Sequence, residues 1–135
     1  MLRFDSDEWI KALCQELNES EPYAQAAKNW EGDFYFIVEP GGAIKEPVIF
    51  YVDLWHGKCR EAKLITDEGE KLPVFRMSGP LSSWRKVLEK ELDPIQGLLT
   101  RRLKLKGNMA MIMRNVKAAQ ELVECCTHIE TEFPE

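Results

Sequence analysis

Long hydrophobic runs are missing from this chain of 135 residues. No stretch approaches the ~20 consecutive apolar residues that a membrane-crossing helix needs. The chain also opens on charge rather than on the apolar core of a signal peptide, so a cytoplasmic protein is expected. Histidine occurs only twice and cysteine four times, without any CxxC spacing. The run Cys125-Cys126-Thr127-His128 does not supply the spacing of a four-ligand zinc site. No phosphate-cradling loop, GxGxxG or HExxH occurs, so no metal and no cofactor are expected. Adjacent Cys125 and Cys126 could join each other only as a strained vicinal disulfide, and free buried thiols are the expectation for all four cysteines. His56 falls in a predicted turn and His128 near the C-terminus, neither beside a Cys, Ser or acid arranged as a nucleophilic dyad. Asp33 reads as a turn-forming or strand-capping carboxylate rather than a general base. A non-enzyme is therefore expected, and a lipid hydrolase is the least favoured alternative.

What is present suits one compact domain spanning residues 1–135: 44% of the residues are hydrophobic, enough to fill a core and spare side chains for a cavity. Charge is placed unevenly. Residues 76–117 hold ten Lys or Arg against three acids, which leaves eight against twenty in the remainder and a total of -5. One reading is a solvated surface. The sharper one is transient contact with an anionic membrane, where each Lys or Arg contributes about 1 kcal/mol. An acidic pI of about 5.2 and the lack of a basic-aromatic motif argue against nucleic acid.

Periodicity divides the chain into helices and strands. Asp5 and Glu8 resemble a capping box, ahead of a helix whose stripe is Trp9, Ile10, Leu13, Cys14 and Leu17. Glu21 to Lys28 reads as a second short helix. Glu31 to Glu39, Val48 to Trp55, Lys58 to Ile65 and Leu72 to Met77 read as four strands forming an antiparallel meander. The continuous apolar content of the second predicts burial on both faces, and His56-Gly57 is a hairpin signal. Phe34, Phe36, Trp55 and Phe75 are expected in the sheet core. Leu81 to Lys90 reads as a helix. No internal repeat or low-complexity segment appears.

The most informative stretch is Leu92 to Met113, LDPIQGLLTRRLKLKGNMAMIM. Asp93 is a good N-cap and Pro94 fits the first helical position, giving a short helix to Leu99. Arg102 to Lys106 then alternates, with Leu103 and Leu105 on one side of a strand and the basic residues on the other. Gly107 turns the chain. Asn108 caps a helix of about 18 residues whose face carries Met109, Ile112, Met113, Val116, Ala119 and Val123, while Met111 points elsewhere.

The order DP, LL, LKLKGNM and MIM resembles the C-terminal half of the sterol carrier protein type 2 superfamily. Trp30, Gly32, Asp33 and FYFIV are similar to that family's first strand and its approach, and Met77 to Trp84 to its fourth strand running into a helix. The likeness spans roughly Pro22 to Leu122. Thr100-Arg101 stands where the family often has glycine before the basic strand, and Asn108 where it often has an acid.

This resemblance implies an α+β fold, a five-stranded, mostly antiparallel sheet with helices on one face, enclosing a hydrophobic cavity. It implies Trp84, Leu88, Leu98 and Leu99 at the pocket, Leu103 and Leu105 on its sheet side, and Met109, Ile112 and Met113 on the helix that closes it. The implied function is to bind and solubilise or transfer a lipid, whether fatty acyl, isoprenoid or sterol, in an apolar tunnel. Ten buried methylenes at ~0.8 kcal/mol each would supply roughly 8 kcal/mol before association costs, with no charged anchor. The alternative is a ligand-free interaction or dimerisation module on the same fold, with Met1 to Asn18 and the acidic tail after Glu130 as candidate homodimer surfaces.

Overall fold

The computed structural model describes residues 1–135. Ser6 starts the first helix, α1 (Asp7–Glu19), by accepting the Trp9 N–H, so the cap lies one residue after the expected Asp5. Asp5 is engaged elsewhere, by Arg3 at 3.0 Å. Helix α2 (Glu21–Ala26) follows immediately, capped by Ser20. Helices α3 (Leu81–Leu88) and α4 (Pro94–Leu99) come after the central strands, and Asp93 caps α4 by accepting from the Ile95 and Gln96 N–H groups.

The expected long helix is two helices, α5 (Met109–Met113) and α6 (Val116–Cys126). Asn115 divides them. Its side-chain amide donates to the Met111 carbonyl at 2.8 Å, and its backbone N–H donates to Ile112 instead of Met111. A side chain that takes up a backbone acceptor of the preceding turn competes with the helical ladder.

Leu2–Arg3 (β1) and Thr131–Glu132 (β7) form a small parallel pair that sequence periodicity did not indicate. The main sheet contains β2 (Glu31–Val38), β3 (Val48–Trp55), β4 (Lys58–Ile65), β5 (Phe75–Gly79) and β6 (Lys104–Lys106). Their spatial order is β4-β3-β2-β5-β6, antiparallel except for the parallel pair β2–β5. His56 and Gly57 both take positive φ in the β3–β4 hairpin, as the turn requires.

The antiparallel meander stops at β4. The expected fourth strand begins at Phe75 rather than Leu72, which is exposed, and it crosses the sheet to lie beside β2. Tyr35 explains the crossing. Its ring is fully buried, and its hydroxyl lies 2.9 Å from the Glu68 carbonyl and 3.0 Å from that of Lys71, while accepting the Lys71 N–H at 2.9 Å. The segment from Thr66 to Val74 is thereby pinned across the back of the sheet, over Tyr35, Ile49, Tyr51 and Ile65.

Strand alternation sends Phe34, Phe36 and Val38 of β2 forward, with Phe50, Val52 and Leu54 of β3 and Phe75 and Met77 of β5. All the α-helices that contribute to the core pack on this front face. As the sequence implied, β3 is buried on both sides at Ile49, Phe50, Tyr51 and Val52. Trp55 departs from the expected sheet core: it is 39% exposed at the end of β3, with the Arg60 guanidinium 4.6 Å above its ring.

Gly107, at φ 136°, lies so close to Phe75 that an added Cβ would sit 2.5 Å from the ring. Trp30 and Phe34 hem that ring in, at 5.3 and 5.0 Å between centroids. Gly41 has a similarly strained φ of 155° but nothing within 4 Å. Gly41→Ala should therefore cost about 1 kcal/mol through backbone strain. Gly107→Ala should cost ~1 to 3 kcal/mol more through overpacking. Urea midpoints of the two variants measure the difference, and equal losses would show that Phe75 yields freely.

Candidate functional site

Between the front of the sheet and α6 lies an apolar cavity of about 90 Å³ lined by 16 residues, 15 of them hydrophobic. Its floor is Phe36, Val38, Phe50 and Met77, and its roof is Ala119, Leu122, Val123 and Cys126. Phe4, Trp9 and Leu13 close the α1 end, and Trp84, Val87 and Leu88 the α3 end. Pro94 and Leu103 complete the wall.

Two tryptophans keep this interior free of polar atoms. The Trp84 indole N–H donates to the Ile37 carbonyl at 3.0 Å, and that of Trp9 to the Thr131 hydroxyl at 2.9 Å. With the N–H groups satisfied in this way, each ring offers the cavity apolar surface alone. A water here would find no ring of polar partners, so the space favours hydrocarbon.

A second apolar cavity of about 50 Å³ lies further along α6, among Tyr23, Trp30, Phe34, Leu54 and Ile112. On the opposite side, Val87, Pro94 and Val123 separate the first cavity from an open polar groove. Two contacts span that groove and hold α6 to the α3–α4 segment. Lys90 pairs with Glu124 at 2.5 Å, which holds the Glu124 carboxyl below its ordinary range, and Gln120 donates to Asp93 at 3.3 Å.

Of the residues that the resemblance implied, Trp84, Leu88 and Leu103 line the larger cavity. Ile112 lines the smaller one. Leu98 is buried under α4 but reaches neither, and Leu105 and Met109 are half-buried against the core outside both. Leu99 and Met113 lie outside both cavities, 56% and 42% exposed. On the short α4, Ile95 and Leu98 occupy the inward face and leave Leu99 outside. Met113 ends α5, and the break at Asn115 stops its face from continuing onto α6, so Ile112 is the buried residue of that turn. Met111, set aside in the sequence, packs half-buried against the core.

Most of the floor and roof was missed as site rather than as structure. Phe36, Phe50, Trp9 and Leu13 carry clear strand or helix periodicity, but periodicity marks an inward face without telling filled core from cavity wall.

The polar candidates are structural. Asp33 accepts from the Tyr51 hydroxyl at 2.8 Å and from the Val74 N–H at 2.8 Å, fixing the start of β5 on the back of the sheet. Burial, with the Asp33 hydrogen bond second, pushes the Tyr51 phenol up. His56 pairs with Glu31 and His128 with Glu16, both at the surface. No group of three His, Cys, Asp or Glu is placed to hold a metal ion.

The family model described as the SCP-2 sterol transfer family matches residues 10–120. This chain belongs to that family. A crystal structure of sterol carrier protein 2 is 38% identical, covers 94% of this chain and 99% of its own, and superposes with a TM-score of 0.86. The solution structure of TT1886 from Thermus thermophilus, a conserved hypothetical protein described as possibly a sterol carrier protein, is 36% identical with a TM-score of 0.87. It covers 98% of this chain and 93% of its own. Palmitated SCP2L2 from Aedes aegypti shares the fold alone, at 12% identity and a TM-score of 0.53, covering 81% of this chain and 92% of its own. A comparison with curated proteins found no match. SCP-2 membership supports lipid binding or transfer in general terms, and no helix is long and apolar enough to cross a membrane.

The four thiols are free, and three of them are buried. Burial pushes Cys59, Cys125 and Cys126 up, which withholds the reactive thiolate, whereas Cys14 is half-buried. Peptide mapping after brief alkylation of the native protein should find Cys14 modified first. Cys126 should react only after denaturant is added; rapid native labelling of Cys126 would mean that the cavity roof is open.

Proposed function

We propose that this SCP-2 family protein carries a lipid, enclosing its hydrocarbon between the sheet and α6 and solubilising or transferring it without chemical change. The observation that carries this reading is the apolar cavity itself, whose lining includes no charged side chain. Trp84, Leu88 and Leu103 are its proposed contacts among the residues singled out in the sequence. The walls supply no polar contact to choose among fatty acyl, isoprenoid and sterol ligands, so shape and length select.

At about 90 Å³ the cavity is smaller than the ~150 Å³ that accepts benzene in an engineered core, and far smaller than a typical ligand pocket of ~300–1,000 Å³. A lipid therefore enters by parting layers already in contact. We place the way in at the groove beside Val87, Pro94 and Val123, where α6 is held by Lys90–Glu124 and Gln120–Asp93. Exchange takes place at an anionic membrane, met by the exposed Arg101, Arg102, Lys106 and Arg114. The protein works in the cytoplasm, where its four thiols stay reduced.

A fluorescent fatty-acyl or sterol probe should bind with micromolar or better affinity and be displaced by the corresponding unlabelled lipid. Val123→Trp, which fills the cavity, should weaken binding by about tenfold, or ~1.4 kcal/mol. Binding no tighter than to an unrelated acidic protein would remove the carrier reading. Flotation with phosphatidylserine vesicles addresses the membrane: Arg101→Glu with Arg102→Glu should abolish low-salt association while leaving probe affinity in solution unchanged.

A further inference from the structure

The two cavities beneath α6 share two lining residues, Ala119 and Leu122, which lie one turn apart on that helix. Beneath them the floor is also shared between neighbours. Phe36 lines the larger cavity and Phe34 the smaller, and their rings stack at 5.0 Å between centroids with an interplanar angle of 26°. A thin wall, one leucine and one alanine above a pair of stacked rings, thus stands between chambers of about 90 and 50 Å³. Every other residue around the smaller chamber except Asn115 is hydrophobic, and the Asn115 amide donates to the Met111 carbonyl. Hydrocarbon can therefore continue from one chamber into the other between walls that are almost wholly apolar.

We propose that Leu122 is a partition that sets the length of hydrocarbon this protein accepts. Its side chain ends the ligand path for a short chain in the larger chamber. A longer chain must displace it to reach the smaller one, toward Trp30 and Ile112. Leu122 is suited to this because it is only partly buried, whereas Phe34 is held on its other side by Trp30 and Phe75, at 5.8 and 5.0 Å. The leucine can change rotamer. The floor cannot yield as readily, since Phe34 is wedged between aromatic neighbours.

The chain-length effect rests on the carrier reading, but the partition can be tested apart from it. Crystals of the wild-type protein pressurised with xenon should hold xenon at two separate positions, one on each side of Leu122. Leu122→Ala should add a position where the side chain was, joining the two, and Leu122→Phe should keep them apart. Xenon on one side only in the wild type, or an unaltered pattern in Leu122→Ala, overturns the partition.

The second measurement is displacement of dansyl-undecanoic acid by decanoic and palmitic acids. In Leu122→Ala the preference for palmitic over decanoic acid should rise about tenfold, the value of roughly two more buried methylenes. In Leu122→Phe it should fall below that of the wild type. An unchanged preference in both variants overturns the length-setting role. If neither acid binds any of the three proteins while xenon behaves as expected, the fatty-acyl form of the carrier reading fails with the length-setting role, and the partition itself stands.

Discussion

The central strand β2 is buried on both faces, and the rest of the molecule is arranged to satisfy that constraint. Forward, it presents Phe34, Phe36 and Val38 to the helices; backward, it presents Tyr35 and Ile37, with no α-helix packed over them. The crossover from β4 to β5 supplies the missing cover, anchored where the Tyr35 hydroxyl holds the backbone at Glu68 and Lys71. One buried hydroxyl with three backbone partners removes its own desolvation cost and orders a polar segment rich in acids. Because the same crossover delivers β5 to the free edge of β2, it also brings Met77 to the cavity floor and leads into α3. The back of the sheet thus decides what the front can enclose.

On that front the helix layer closes onto the sheet incompletely. Phe4, Trp9, Phe36, Phe50 and Trp84 are bulky and rigid, and their edge-to-face contacts fix ring positions around the gap rather than within it. An unfilled space of about 90 Å³ forgoes roughly 2 kcal/mol at the ~24 cal/mol per Å³ measured for core cavities. A ligand that fills it returns that loss, so occupancy and stability are linked. The clasp of Lys90 on Glu124 sets the counterweight. It is exposed and individually weak.

The uneven charge has a structural counterpart. Acidic side chains are distributed over α1, the β3–β4 edge and the crossover, largely in pairs with Arg or Lys, including Lys63–Glu70, Arg60–Asp53 and Arg76–Glu68. From Leu99 to Arg114 the chain carries five basic side chains and no acid, and only Lys104 has a carboxylate partner, Glu39 at 3.8 Å. Exposed Leu99 and Met113, removed from the cavity wall, flank this basic segment in the sequence.

Much of the fold was legible because it depends on local chemistry. The Asp93-Pro94 start of α4, the Asn108 cap of α5, the positive-φ turn at His56-Gly57 and the spans of β3 and β4 are set by neighbours within a few residues, and the sequence determined them. The ordered motifs from Trp30 to Met113 likewise carried the family, since order and spacing belong to the chain itself. Three things were decided only in three dimensions. The strand after Thr66 crosses the sheet because Tyr35 waits 33 residues upstream, a pairing that no local pattern encodes. The helix after Asn108 breaks because Asn115 finds a backbone partner in the preceding turn, while the apolar spacing runs on unchanged across the break. The cavity exists because two layers, each with ordinary core periodicity, meet without filling all the space between them. Periodicity states which face of an element is buried, but the volume left between two buried faces is a property of neither sequence segment alone.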